Sequence, residues 1–454
     1  MKLKIWMILL AFSFAGCSDF LEESSQDEVR PSTVDDMEQL LLGEVYLDEY
    51  SQYNNRFVRG TDIFTDDQQC YGLSTDRNRD YFENDRYTYT WQKDMFDEGG
   101  GGNVVDYWKV PYEAIKGCNV VIDYLDRVDG DNAKRENLRG EAYTMRAYYY
   151  FLLVNYFGLP YNYGDPEKNP GVPLKLDMNV TEDKYPRNSV AEVFRSIEKD
   201  LLMAIRLFDE NKMEWRYLRA GELMAKALLS RVYLFMEDWD NALKYTEEVL
   251  KEKSQLINLA SVRNGNNGDN VYSQSSPELI WARPCYAGGS SGWTLMPYCL
   301  SEDFINLFDP GDYNFEDYYR WGDKVYGTDY RGDLRWTCFK WSTVDDYSRD
   351  YMERVEYGYN GIRVAEMYLN RAEVYIHKYI ESGTDEFRVK ALADLNHLRV
   401  NRWDTRNGTY TPVDYADGES LLNFYKDERR RELCGESNHR WFDLRRYGMP
   451  EIRH

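Results

Sequence analysis

The sequence predicts a mainly α-helical protein, a scaffold of tetratricopeptide-like helix pairs that carries long, irregular, aromatic-rich loops. Three observations predict it. Apolar residues recur at steps of three and four along much of the chain. A small-then-aromatic step returns on those stretches as Ala147-x-x-Tyr150, Ser230-x-x-Tyr233 and Ala372-x-x-Tyr375. Two stretches, 52–104 and 257–360, are rich in Asp, Asn, Gly and aromatic residues and break the helical rhythm.

The chain opens on Lys2 and Lys4, an apolar run Ile5 to Ala15, and then Ala15-Gly16-Cys17. A spanning helix needs about 20 apolar residues, so this run targets and does not span. Small residues ahead of a cysteine predict a lipoprotein signal over 1–16, cleaved to leave Cys17 as the lipid-bearing N-terminus. Residues 17–31 are polar and acidic and read as a tether. No later segment is long and apolar enough to cross a bilayer.

The helices follow. Trp108, Tyr112, Ile115, Cys118, Ile122 and Leu125 share one face, as do Leu138, Ala142, Met145, Tyr149, Leu152 and Tyr156 on a helix that stops before Gly158 and Pro160. Val193, Ile197, Leu201, Ala204 and Phe208 mark another, opened by the capping box Ser189-x-x-Glu192. Leu229, Ser230, Tyr233 and Ala242 fall at the tetratricopeptide spacing: small residues let two antiparallel helices approach, and Tyr233 fills the gap beside them. Val364, Met367, Leu369, Ala372 and Tyr375, followed by Ala391, Leu395 and Leu398, repeat the pair.

Composition excludes several functions. Asp and Glu number 79 against 56 Lys and Arg, a net charge of −23, which repels nucleic acid and anionic lipid. The cysteines after Cys17 are scattered, with no CxxC pair, so neither a zinc cluster nor a disulfide framework is expected. Cys118 and Cys434 lie in helical patterns and read as buried apolar residues. There is no HExxH, GxSxG or phosphate-binding loop, and Gly99 to Gly102 reads as a flexible loop. Asn264-Gly265-Asn266-Asn267-Gly268-Asp269-Asn270 offers oxygens of the kind Ca²⁺ takes, but lacks the spacing and terminal Glu of a calcium loop, so a turn-rich loop and no cofactor are expected.

Aromatic residues make up 16% of the chain, with 40 Tyr, 12 Trp and 19 Phe. Their flat faces suit the CH-rich sides of sugar rings, although helix packing accounts for most of them. Those outside helical periodicity have less reason to be core. They include Tyr71, Tyr81 and Trp91 in the first irregular stretch, with Arg59, Asp62, Asp67 and Gln68 nearby. In the second they are Tyr286, Trp293, Tyr298, Tyr319, Trp321 and Tyr326. The candidate ligand contacts are Asp67, Tyr71, Tyr81, Trp91, Trp293, Tyr298, Trp321 and Tyr326. No catalytic residue is assigned.

The C-terminal run Glu428-Arg429-Arg430-Arg431-Glu432-Leu433, then His439-Arg440-Trp441-Phe442-Asp443-Leu444-Arg445-Arg446-Tyr447-Gly448, resembles the SusD/RagB family of outer-membrane nutrient-binding lipoproteins. Arg363-Val364-Ala365-Glu366 with Asn370-Arg371-Ala372-Glu373, Arg146-Ala147-Tyr148-Tyr149-Tyr150 leading to Phe157-Gly158-Leu159-Pro160, Asn119, and Asp19-Phe20-Leu21 fit as well. The mixed signs of the C-terminal motif point to arginine forks bridging carboxylates between helices rather than to an anion site. The resemblance implies an N-terminal region over 32–265 and a C-terminal one over 266–454, packed as one unit. It also implies a lipid anchor in the outer membrane facing the cell exterior, an oligosaccharide ligand and a SusC-like TonB-dependent transporter as partner. Peptide or protein binding alone, and glycan degradation, are the competing expectations.

Overall fold

In the computed structural model, which describes residues 30–46, 62–70, 82–83, 86–93, 107–181, 184–261, 276–284, 298–308, 332–335, 339–343, 350–354, 359–405 and 409–452, the first helix is α1 (Val34–Glu44). Thr33 caps it: its hydroxyl accepts from the Asp36 amide while the Asp36 carboxylate accepts from Thr33 and Ser32. The signal over 1–16 and most of the 17–31 tether lie outside the described residues.

Two long helices follow, α2 (Lys109–Tyr124) and α3 (Asn132–Phe157), the second capped by Asp131 and ended at Gly158, as the sequence predicts. An extended crossover leads to α4 (Val190–Asn211), which opens with the predicted capping box: Ser189 and Glu192 each accept the other's amide hydrogen. Then come α5 (Glu222–Met236) and α6 (Trp239–Glu252), and, beyond the second irregular stretch, α7 (Val364–Ser382), α8 (Asp385–Val400), α9 (Gly418–Leu433) and α10 (His439–Arg446).

Consecutive helices pack on one another from α1 to α6. The stack then skips more than a hundred residues of chain, because α7 packs directly on α6 and carries α8 and α9 on its other sides. The repeat-like step explains the tight packing. Ala147, Ser230 and Ala372 are fully buried at helix contacts, and Tyr150, Tyr233 and Tyr375 lie buried one turn on. Between α5 and α6 the hydroxyl oxygens of Ser230 and Thr246 approach to 2.5 Å, and Tyr233 stacks on Tyr245 with centroids 5.8 Å apart. Each fully buried Leu, Val or Phe in such a seam contributes about 1.5–3 kcal/mol relative to exposure.

The stretches read as irregular carry short strands. β1 (Gln68–Cys70) pairs antiparallel with β3 (Tyr298–Leu300), β2 (Leu279–Pro284) with β6 (Tyr359–Arg363), and β4 (Phe339–Thr343) with β5 (Asp350–Arg354). Gly361 is required in β6: a Cβ there would lie 2.0 Å from the Trp281 carbonyl oxygen. Trp281 in β2 is fully buried and meets Tyr148 of α3 edge-on at 5.2 Å, so this ribbon is stitched into the helical core. Cys118 and Cys434 are buried thiols, as expected. The Gly99–Gly102 run and the Asn264–Asn270 loop lie outside the described residues.

Candidate functional site

The C-terminal motif folds into a buried lattice of ions. In α9, Glu428 accepts from Arg335 at 2.7 Å, Arg399 at 2.6 Å and Arg431 at 2.7 Å. One turn on, Glu432 accepts from Arg363 at 2.6 Å, Arg402 at 2.9 Å and Arg335 at 3.1 Å. Glu278, at the foot of β2, also accepts from Arg363 and Arg402, while Arg363 reaches on to Glu436 and Arg402 to the Ile257 carbonyl. Burial by itself raises a carboxyl pKa, yet three guanidinium groups hold Glu428 and Glu432 below the usual carboxylate range. The same holds on α7: burial would raise Glu373, but Arg446 and Arg429 outweigh it and bring it down to about 2. These arginines bridge α7, α8, α9, α10 and the β2–β6 ribbon, so the motif is structural, as its mixed signs predict.

The lattice has an outward arm. Arg430 donates to Asp67 at 2.5 Å, and Arg440 grips Asp66 with two bonds of 2.8 and 2.7 Å. Ser301, just past β3, donates its amide to the Asp67 carbonyl and its hydroxyl to the Asp66 carbonyl. The first irregular stretch is thus tied to the C-terminal helices through two consecutive aspartates.

On this arm sits an aromatic surface. Trp91 has a left-handed backbone (φ +52) and is 42% exposed. Its indole N–H donates to the Phe64 carbonyl at 3.1 Å, and its ring meets Trp441 of α10 nearly at right angles at 5.4 Å. Trp441 in turn meets Phe64 edge-on at 5.4 Å, with the Arg445 guanidinium 5.9 Å from its ring centre. The contacts continue through Tyr107, Tyr156 and Phe157 to Trp108, which is 38% exposed. A ladder of aromatic rings therefore runs through the protein with an exposed tryptophan at each end. Anchoring by a hydrogen bond and a ring contact pre-sets the orientation of an indole, which lowers the entropic cost of stacking a ligand on it.

The structure treats the sequence candidates differently. Trp91 lies at the surface. Asp67 is 1% exposed with its carboxylate held by Arg430, and burial pushes its pKa up against the pull of Arg430 and Arg440. A carboxylate covered in this way ties α9 to β1 and is closed to a sugar hydroxyl. Tyr298 is placed in β3 opposite Cys70. Cys17, Tyr71, Tyr81, Trp293, Trp321 and Tyr326 lie outside the described residues. Sequence reasoning passed over Trp441 and Trp108 as surface partners. Trp441 stands in the quoted motif between Arg440 and Phe442, and an aromatic among helix charges is the signal that marks it. Among the described residues no group of three or more His, Cys, Asp or Glu is arranged to hold a metal ion. None of the described helices is long and apolar enough to cross a membrane.

Comparison with known proteins agrees with this architecture. Residues 19–234 match the family model described as starch-binding, associating with outer membrane, and residues 335–452 match that of the SusD family. Two SusD-like proteins of Formosa agariphila are similar. One is 25% identical over 61% of this chain, a match spanning 50% of that relative's length. The other is 23% identical over 98% of this chain and 90% of its own. A SusD-like carbohydrate-binding protein of Bacteroides vulgatus superposes with a TM-score of 0.66 at 21% identity, covering 92% of this chain and 84% of that one. With matching models at both ends of the chain, the helix-pair fold between them and the arginine lattice of its C-terminal motif, this protein belongs to the SusD/RagB family.

Proposed function

We propose that this protein is held at the outer membrane by a lipid on Cys17, facing the cell exterior. There it captures oligosaccharides by aromatic stacking and delivers them to a SusC-like TonB-dependent transporter. No bond is made or broken. The observation that carries the reading is Trp91: a large, partly exposed indole whose N–H is committed to the Phe64 carbonyl and whose ring is braced nearly at right angles by Trp441. Such a ring offers stacking area at little entropic cost. The family to which the chain belongs supports a sugar as the ligand, and so does the carbohydrate-binding relative from Bacteroides vulgatus. Stacking on an exposed ring gives modest affinity, which suits a protein that must release its ligand to a partner.

The test is calorimetric titration of the purified protein with a panel of neutral oligosaccharides, repeated on Trp91→Ala, Trp293→Ala and Trp321→Ala. Binding of at least one oligosaccharide that weakens about tenfold in Trp91→Ala supports the reading. Unchanged affinity in all three variants rejects stacking as its basis. Release of reducing ends from the bound sugar points instead to a glycan-degrading enzyme. Recovery of the mature chain without lipid, free in the periplasm, removes the anchor and the transporter from the account.

A further inference from the structure

A second exposed tryptophan lies in a different place and has a different neighbour. After α4, Lys212 turns the chain with a left-handed backbone (φ +50), and the following loop leads to α5. The loop is pinned against β2 at two points. The Trp215 indole N–H donates to the Ile280 carbonyl at 3.0 Å, and the Ala282 amide donates to the Tyr217 carbonyl at 2.7 Å. Trp215 is 46% exposed and the neighbouring Leu218 is 37% exposed. The Lys253 ammonium, from the end of α6, stands over the indole 4.6 Å from its centroid.

Lys253 differs from the half-covered lysines that sit among carboxylates. Lys226 is ringed by Glu222, Glu248 and Glu252, and Lys134 by Asp35 and Glu38. In a chain with 79 acidic residues, Lys253 has no carboxylate partner among the described residues, and burial alone pulls its pKa down. Glu214 and Arg216, exposed on either side of Trp215 in the loop, offset one another in charge and leave Lys253 as the cation at the indole.

We infer that Trp215 and Lys253 form a second saccharide-binding site, one that selects sugars bearing an anionic group, either a uronate carboxylate or a sulfate. A pyranose ring that displaces the ammonium from the indole keeps the aromatic face for stacking. The ammonium, on its flexible four-carbon stem, swings to the anionic substituent. A charge-assisted hydrogen bond then replaces a cation–π contact in a partly desolvated place. The site shares no contact residue with the Trp91 surface among the described residues, so the two readings stand or fall separately.

The test titrates the purified protein with three probes: an oligogalacturonate (carboxylate), a κ-carrageenan oligosaccharide (sulfate) and maltotriose (neutral). At least one anionic probe binds, and the one that does identifies the charged group. Lys253→Gln weakens that probe about tenfold and Lys253→Arg restores most of the loss. Trp215→Ala weakens it as well, and Trp91→Ala leaves it unchanged. Circular dichroism confirms that each variant is folded; if Trp215→Ala is not, the two Lys253 variants decide the matter. The site is overturned if neither anionic probe binds, if Lys253→Gln binds as tightly as wild type, or if Trp91→Ala abolishes binding of the anionic probe.

Discussion

The two ends of this protein bury charge in different ways. In the N-terminal helix pairs each buried carboxylate meets one arginine: Arg146 grips Asp200 between α3 and α4 with two bonds of 2.7 Å, and Arg219 grips Glu141 at 2.7 and 2.9 Å. Burial wins there, and both carboxyls have raised pKa values. In the C-terminal lattice Glu428 and Glu432 each meet three arginines, the arginines win, and the pKa values fall. Position in the chain does not decide the sign. Asp394, in the C-terminal half but served by Arg371 alone, is raised by its burial like Asp200. A shared lattice spreads the desolvation cost of its members, so it can stay fully ionised and hold four helices and a ribbon in one geometry.

The comparison breaks most sharply at Glu432. Glu432→Ala leaves Arg335, Arg363 and Arg402 short of a partner in a closed interior. It is expected to cost about 3–5 kcal/mol, read as a fall in the urea midpoint. Arg146→Ala strands one buried carboxylate and is expected to cost about 3 kcal/mol. Arg146→Met combined with Asp200→Leu removes both charges and should recover part of that loss, because a buried pair gives little net stability, while the Asn119 oxygen and the Leu176 carbonyl that Arg146 also serves lose a donor. No such pairwise swap should rescue Glu432→Ala, whose arginines are shared.

Acid separates the two regions next. Carboxyls with lowered pKa values contribute stability that is present above the ordinary glutamate range and is lost as pH falls through their folded values, for Glu373 to about 2. Raised carboxyls such as Asp200 and Glu141 act in the opposite sense, their contribution being lost as pH rises through the folded value. Loss of stability on acidification should therefore be carried by the lattice. Urea midpoints measured across the acid range should fall less steeply in Glu373→Gln than in wild type.

The helix pairs were legible in the sequence because each rests on local spacing: the Ser230-x-x-Tyr233 step, the Ser189–Glu192 box and the stop at Gly158 all act within a few residues. The lattice was legible only in kind. The mixed signs around Glu428 announced arginine forks, but Arg335 and Arg363 lie 97 and 69 residues from Glu432 and no periodicity points to them. The site was less legible still. Asp67 looked open beside Tyr71, yet its fate is set by Arg430, 363 residues away. The exposure of Trp91 likewise depends on Trp441, from a helix at the far end of the chain.

The smallest effect on stability belongs to the change that matters most for function. Trp91→Ala removes a partly exposed ring outside the lattice and should shift the urea midpoint by less than about 1 kcal/mol. Titrating wild type and Trp91→Ala side by side with the neutral oligosaccharide that wild type binds tests the central claim most directly. The account predicts an affinity loss of about tenfold with the fold intact; equal affinities in the two proteins would contradict it.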